Sequence, residues 1–228
     1  MFRFKQFAVR QDRCPMKVGT DGVLLGAWAE VRPGDRRMLD VGTGTGLIAL
    51  MLAQRSAAWI TAVDIDVECA TQAAENFAAS PWADRLDAVS VAVQRYDPVE
   101  KFDLIVSNPP YYVDSLLSPD EGRNTARHAA GLPFGELAAA VVRLLSPGGR
   151  LPPVEMQRFR SAALGRLYPV RWTEVCSTPR RGVRRILAEF CTTPVPAPEP
   201  ARLIIELGGP DSYTEDYRRL TGDFYLKF

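Results

Sequence analysis

An α/β fold is predicted, built on a doubly wound, mostly parallel sheet of seven strands with one or more antiparallel strands at its C-terminal end. Three observations predict it. From about residue 37 onward, short apolar runs alternate with helical stretches. A glycine turn, Gly42-Thr43-Gly44-Thr45-Gly46, sits where the first of those runs gives way to a helix. The second run ends in a carboxylate, Asp64, about twenty residues beyond the turn.

The first strand is expected at Met38 to Val41 and the helix after it at about Leu47 to Arg55. Trp59 to Val63 forms the second strand and about Val67 to Ala79 its helix; Leu86 to Val91 and Phe102 to Val106 are the third and fourth strands. A helix over about Phe134 to Leu145 ends at Ser146-Pro147-Gly148-Gly149, which reads as a helix stop followed by a turn. The strand due next, Arg150-Leu151-Pro152-Pro153-Val154, carries two prolines that cannot donate to a ladder, so it is expected to be short or broken. A helix from about Met156 to Leu167 precedes alternating segments near Trp172 to Ser177, Arg184 to Cys191 and Arg202 to Leu207, the expected antiparallel end of the sheet. The alternating prolines of Thr193 to Pro200 predict a stiff extended connection.

With 228 residues, 46% of them apolar, the chain can bury one good core. Its 28 Lys and Arg balance 27 Asp and Glu, which excludes a globally basic nucleic-acid binder; any such contact must be local. No apolar stretch has signal-peptide or membrane-span length, so a soluble cytoplasmic protein with no membrane partner is expected, most simply a monomer. Cys14, Cys69, Cys176 and Cys191 are scattered without a C-x-x-C pair and His128 is the single histidine, which predicts no metal site and reduced cysteines.

Glycines in a strand-to-helix turn let the backbone approach a ligand closely, so the turn reads as a nucleotide-type cofactor loop. Its spacing is G-x-G-x-G, and Leu47 stands where a dinucleotide fingerprint has Gly or Ala, which disfavours a nicotinamide cofactor. Asp64, followed by Ile65, can accept hydrogen bonds from both hydroxyls of a ribose. A tight turn beside a surface aspartate is the purely structural alternative. The turn with Asp40 before it and Asp64 after it resembles the class I methyltransferases. That resemblance implies S-adenosylmethionine across the carboxyl ends of the strands, with Gly42, Gly44 and Gly46 beneath its methionine and ribose parts. It also implies an acidic residue after the third strand against the adenine amine; the sequence there is Val91-Ala92-Val93-Gln94, and Gln94 is the substitute.

The fourth strand runs into Asn108-Pro109-Pro110-Tyr111, at the same carboxyl edge as the glycine turn. An exocyclic amine or a side-chain amide is a poor nucleophile, because its lone pair is delocalised into a π system. The Asn108 side-chain oxygen and the Pro109 carbonyl can each accept one N–H and aim that lone pair at an electrophilic methyl group, with Pro110 adding rigidity. Tyr111 offers a ring face on which a planar base can stack. A proline-rich strand-ending turn with a buried tyrosine is the bland alternative. The motif resembles that of amino-methyltransferases acting on adenine N6, cytosine N4 or protein glutamine.

The opening Phe2-Arg3-Phe4-Lys5-Gln6-Phe7, and Gln11 through Trp28, resemble the N-terminal signature of the bacterial tRNA1(Val) adenine-37 N6-methyltransferase family. The likeness continues through Gln72 to Trp82, Asn108 to Tyr111, Asn124 to Arg127 and the end from Gly209-Pro210-Asp211 to Tyr225-Leu226, covering nearly the whole chain and faltering at Pro152-Pro153. It implies that residues 1–36 cap cofactor and substrate and that residues 37–228 form the class I methyltransferase domain. Lys17, Thr20 and Asp21 offer a cation, a hydroxyl and backbone donors for the cofactor carboxylate, while a helix N-cap by Thr20 or Asp21 is the alternative. Arg180, Arg181, Arg184 and Arg185 crowd four cations into six positions, suited to tRNA phosphates or simply a solvated loop; Arg123 and Arg127 are expected on the same approach. The expected activity is S-adenosylmethionine-dependent N6-methylation of an adenine in tRNA, at position 37 of the tRNA-Val anticodon loop. Two alternatives stand beside it. One is a protein glutamine N5-methyltransferase, although only about 36 residues precede the first strand, where such enzymes carry a further helical domain. The other is a non-catalytic RNA-binding relative, suggested by Pro152-Pro153 and the missing acidic contact.

Overall fold

The computed structural model describes residues 1–108, 132–152, 163, 165–209 and 211–227. A short antiparallel hairpin, β1 (Phe2–Arg3) and β2 (Ala8–Val9), leads into helix α1 (Thr20–Trp28). The alternating part follows: β3 (Arg37–Val41), α2 (Leu47–Arg55), β4 (Trp59–Asp64), α3 (Val67–Ala78), β5 (Leu86–Ser90) and β6 (Phe102–Ser107). Then come α4 (Phe134–Leu144), β7 (Leu145–Leu151), β8 (Tyr168–Cys176), β9 (Val183–Cys191), β10 (Ala201–Ile204) and α5 (Glu215–Thr221).

The strands form one eight-stranded sheet in the order β10-β8-β9-β7-β6-β3-β4-β5. Strands β3 to β7 are mutually parallel, β9 is antiparallel to both its neighbours, and β10 is parallel to β8. This is the expected mostly parallel sheet with an antiparallel C-terminal strand, widened by one strand. Because β3 pairs with β4 on one side and β6 on the other, the chain reverses its winding direction there, opening a crevice beyond their carboxyl ends.

Side chains alternate between the two faces of a strand. Met38, Ile60, Ala62, Leu104 and Val106 join a core with α1, α2 and α3; Leu39, Val41, Val63 and Ile105 join a second core under α4. Helices therefore cover both faces, which is why the central strands read as continuous apolar runs. Residues Leu47 to Ala53 of α2 are all buried, a helix apolar on every side because α1 covers its outer face. Phe4, Phe7 and Val9 pack into that core together with Tyr217 and Phe224, so the first 36 residues fold as part of the same body.

Three expectations need correcting. Ser146-Pro147-Gly148-Gly149 does not end the element before a new strand begins but lies inside β7. The partners Phe102↔Leu145 and Leu104↔Arg150 bracket a bulge in which the turn residues are absorbed, and Gly148 takes φ 80°, a conformation open to glycine. β7 then ends at Leu151, one residue before Pro152. The segment near Arg202 joins the sheet parallel to β8 rather than antiparallel: β9 ends beside the start of β8, and the proline-rich connection passes along that same edge to the far side of β8, where β10 starts and runs in the direction of β8. Finally, Cys14 and Cys69 are not both reduced thiols: they form a disulfide with Cα atoms 5.1 Å apart. Two amides of α3 account for their meeting. Gln72 Oε1 accepts from the backbone N–H groups of Arg13 (2.9 Å) and Cys14 (3.3 Å), and Asn76 Oδ1 accepts from Arg10 N–H at 2.8 Å. Residues 10–14 are thereby laid along the helix face that carries Cys69. Cys176 and Cys191 are free and buried. The expected helix over 156–167 falls mostly outside the described residues.

Candidate active site

Chain reversal at β3 places three strand ends around one cleft of about 350 Å³. Its floor is the glycine turn after β3, one wall is Asp64 to Asp66 after β4, and the other is Ser107 and Asn108 at the end of β6. Residues 14–19 and Asp21 close it from above, while Val91 to Gln94 and Leu132 close the far end.

The turn is held by backbone bonds between neighbouring strands. Gly42 N–H and Thr43 N–H both donate to the Val63 carbonyl, at 2.8 and 3.1 Å, and Gly44 N–H donates to Asp64 Oδ2 at 2.8 Å. Gly42, Gly44 and Gly46 have φ of 70°, 56° and 80°. At Gly46 a second constraint applies, because an added Cβ would stand 2.5 Å from Cε1 of Phe77. Only glycine can both turn the backbone there and let α2 begin against α3.

Asp64 Oδ1 accepts from Asp66 N–H at 3.0 Å. Burial pushes the Asp64 carboxyl upward, opposed by the N–H groups of Asp66 and Gly44. Each carboxylate oxygen retains a second lone-pair direction, so the group can still accept from hydroxyls in the cleft. Asp40 lies beneath the turn and is fully buried. Its Oδ2 accepts from Thr43 Oγ1 at 2.7 Å and Ala49 N–H at 3.2 Å, while Oδ1 is unpartnered. Burial raises its pKa to about 7, against those two hydrogen bonds and with the Asp64 charge adding to the rise.

Across the cleft, Ser107 Oγ donates to the Val41 carbonyl at 3.0 Å, pinning the end of β6 to that of β3. The next residue, Asn108, presents a buried side-chain Oδ1 with no hydrogen-bond partner. An unpaired buried acceptor costs roughly 1–3 kcal/mol, so this oxygen is suited to an N–H donor arriving from outside the chain. At the far end, Gln94 Nε2 donates to Glu136 Oε2 at 2.7 Å, which leaves the Gln94 amide oxygen as the acceptor for an amine.

Among the residues expected to hold the cofactor, Lys17, Asp21, Gly42, Gly44, Asp64, Ile65, Gln94 and Asn108 line this cleft. Gly46 and Asp40 lie beneath it. Thr20 faces a different cavity. Lys17 Nζ donates to the carbonyls of Gln11 and of Cys14, the latter at 3.1 Å, so it braces the segment that roofs the cleft. Gly19, not Thr20 or Asp21, is the N-cap of α1, and no side chain caps that end. Asp21 instead pairs with Arg185 Nε. Arg180 and Arg181 are exposed on the turn joining β8 to β9, with Arg184 exposed at the start of β9. Pro109, Pro110, Tyr111, Arg123, Arg127 and His128 lie outside the described residues.

Gln72, Asn76, Cys14, Ser107 and Glu136 carry parts of the site that the sequence reading did not assign. Gln72 and Asn76 had a detectable signal: two amides four residues apart on a helix face otherwise made of Cys69, Ala73 and Phe77. Both are almost wholly buried.

Comparison with known proteins agrees with this geometry. A family model described as the methyltransferase small domain matches residues 21–159. Over its whole length the chain is similar to proteins named tRNA1(Val) (adenine(37)-N6)-methyltransferase. Identity is 47% with that of Parabacteroides distasonis, covering 99% of this chain and 98% of the relative. It is 45% with that of Flavobacterium johnsoniae, covering all of both. Among solved structures, a predicted O-methyltransferase from Agrobacterium tumefaciens superposes with a TM-score of 0.71 at 19% identity, covering 90% of this chain and 96% of that one. The glycopeptide N-methyltransferase MtfA, complexed with S-adenosylmethionine, superposes with a TM-score of 0.56 at 14% identity, covering 78% and 90%. These two likenesses show the shared fold.

Proposed function

This chain belongs to the methyltransferase small domain family and, within it, to the tRNA1(Val) (adenine(37)-N6)-methyltransferases, and from that membership we propose that it methylates N6 of adenine 37 in tRNA1(Val). The observation that carries the reading is Asn108 Oδ1, a buried acceptor without a partner at the carboxyl end of β6, on the wall of the cleft.

The cleft fits S-adenosylmethionine. The turn offers backbone at close range, Asp64 faces it with a carboxylate suited to ribose hydroxyls, and Gln94 is oriented to present oxygen to the adenine amine. When bound, this cofactor supplies an electrophilic methyl group on a sulfonium, so the reaction needs no metal and no strong base. Asn108 Oδ1 accepts one N–H of the target amine and draws its lone pair out of conjugation with the ring. The Pro109 carbonyl accepts the second N–H and Tyr111 stacks on the base; as the N–CH3 bond forms the sulfonium S–CH3 bond breaks to leave a thioether, and the excess proton on the nitrogen then leaves to water. Holding the amine at attack distance accounts for a large part of the rate, since orientation alone is worth up to roughly 7–11 kcal/mol. Lys17, together with residues 14–19, shelters the cleft from water.

In this reading residues 1–36 form the cap and residues 37–228 the catalytic unit, working on tRNA in the cytoplasm. Among the described residues no helix is long and apolar enough to cross a membrane, and no cluster of three His, Cys, Asp or Glu could hold a metal. The exposed Arg180, Arg181 and Arg184 extend from the sheet edge that carries the cleft, suiting them to tRNA phosphates. Incubation with labelled S-adenosylmethionine and unmodified tRNA, followed by digestion to nucleosides, is expected to place the label in N6-methyladenosine. Unlabelled RNA contradicts the reading.

A further inference from the structure

A second cavity, of about 630 Å³, opens on the same edge of the sheet as the cleft. The strand directions establish this: β8 and β10 run parallel to β3, and the cavity is lined by Ser177 and Ile205, each the residue just past the end of one of those strands. Consecutive residues of α1 face the two hollows, Thr20 the second cavity and Asp21 the cleft. The ion pair between Asp21 and Arg185 forms the partition.

The lining combines two chemistries. The half-buried Tyr213 and Tyr225 bring aromatic rings, with the buried Tyr217 stacked behind Tyr213 at 5.4 Å between centroids. Arg3, Arg218 and Lys227 are exposed cations at the rim and outnumber the two acids, Glu206 and Asp211, while Arg185 is already paired with Asp21. Asp211 is also the one described non-glycine residue at left-handed φ, 53°, a conformation that costs free energy and concentrates at ligand-binding loops. Aromatic faces inside a ring of cations recognise an unstacked nucleotide, the ring taking the base and the guanidinium the phosphate. The volume lies within the roughly 300–1,000 Å³ usual for small-ligand sites.

We propose that this second cavity seats an unstacked nucleotide of the tRNA loop flanking the methylated adenine, so that the enzyme grips two nucleotides at once across the Asp21–Arg185 partition. The proposal rests on the tRNA-methylating function set out above.

Steady-state methylation of a tRNA1(Val) transcript tests it, comparing wild type with Arg218→Ala and Tyr213→Ala, each on intact RNA and on RNA made abasic at single positions flanking the target. Both variants should raise KM for tRNA by about tenfold, the scale of one lost base stack, with the larger effect on KM rather than kcat. An unaltered dissociation constant for S-adenosylmethionine shows that each variant is folded. One abasic position should reproduce the loss in wild type and add little further loss in the variants, a coupling that a merely structural role would not produce. Unchanged KM in both variants overturns the proposal, as does full additivity of variant and abasic effects. Binding of a free nucleoside monophosphate with no abasic effect also overturns it, in favour of a small-molecule site. If wild type transfers no methyl group to tRNA at all, the proposed function itself falls, an outcome visible before any variant is compared.

Discussion

The backbone N–H of Gly44 donates to the carboxylate of Asp64 at 2.8 Å, fastening the turn after β3 to the acidic end of β4. One side chain thus shapes the glycine turn and faces the cleft proposed to hold the cofactor. Asp64→Ala is expected to raise the dissociation constant of S-adenosylmethionine roughly ten- to hundredfold, the scale of hydrogen bonds to a charged group. Isothermal titration checks this, and a change below threefold would contradict the assigned role.

Asp40 gives the protein a pH-dependent stability. Its carboxyl titrates at about 7 in the folded protein against 3.8 for the unperturbed group, so between those values the native state holds a proton that the unfolded chain has released. The contribution of this residue is therefore most favourable at low pH. It declines as pH rises toward 7 and is constant above, a loss on the order of 4 kcal/mol. Asp40→Asn keeps the size and removes the titration. Denaturant unfolding at about pH 5 and about pH 8 should show a variant whose stability changes less with pH and exceeds wild type at the higher value. Parallel pH profiles for the two proteins would refute this.

Asn76 joins three separate backbone groups. Besides accepting from Arg10 N–H, it donates through Nδ2 to the carbonyls of Arg10 and Thr45, both at 2.9 Å. Asn76→Ala leaves those groups unsatisfied and should lower unfolding free energy by roughly 3 kcal/mol, at about 1 kcal/mol per bond. Because Thr45 belongs to the glycine turn, affinity for S-adenosylmethionine should fall with it. A variant with unaltered denaturation midpoint would show that these bonds carry no net stability.

The Cys14–Cys69 disulfide closes a sequence separation of 55 residues and ties the roof of the cleft to the first turn of α3. Its reduction is expected to lower unfolding free energy by roughly 4 kcal/mol through the greater freedom of the unfolded chain, and to weaken cofactor binding by loosening residues 14–19. Melting curves with and without dithiothreitol, paired with a thiol count, measure this. Identical curves for the oxidised and reduced forms would contradict it.

The parts of this architecture visible in the sequence are those encoded over short distances. The glycine turn, Asp64 and Asn108 each terminate a short apolar strand, and a parallel sheet automatically brings such ends to one edge. What escaped notice depends on partners distant in sequence. Gln72 and Asn76 bond to backbone about sixty residues away, so no local pattern announces them beyond two amides on a buried helix face. The cysteines at 14 and 69 share no spacing motif and meet only because those amides dock the N-terminal segment. Ser146 to Gly149 have turn chemistry, yet they lie inside β7 as a bulge in its pairing with β6. The direction of β10 was likewise illegible, since an extended proline-rich connection is compatible with either pairing.

The proposed methyl transfer to N6 of adenine 37, with the amine received at Asn108, has a direct chemical readout. It is tested most directly by digesting wild-type-treated tRNA1(Val) with a ribonuclease and weighing the fragment that contains adenine 37, with Asn108→Ala as the paired reaction. Wild type should give a fragment heavier by one methyl group, carrying N6-methyladenosine, and Asn108→Ala an unmodified fragment despite retained cofactor binding. An unmodified fragment after wild type, or a methylated one after Asn108→Ala at the wild-type rate, would contradict it.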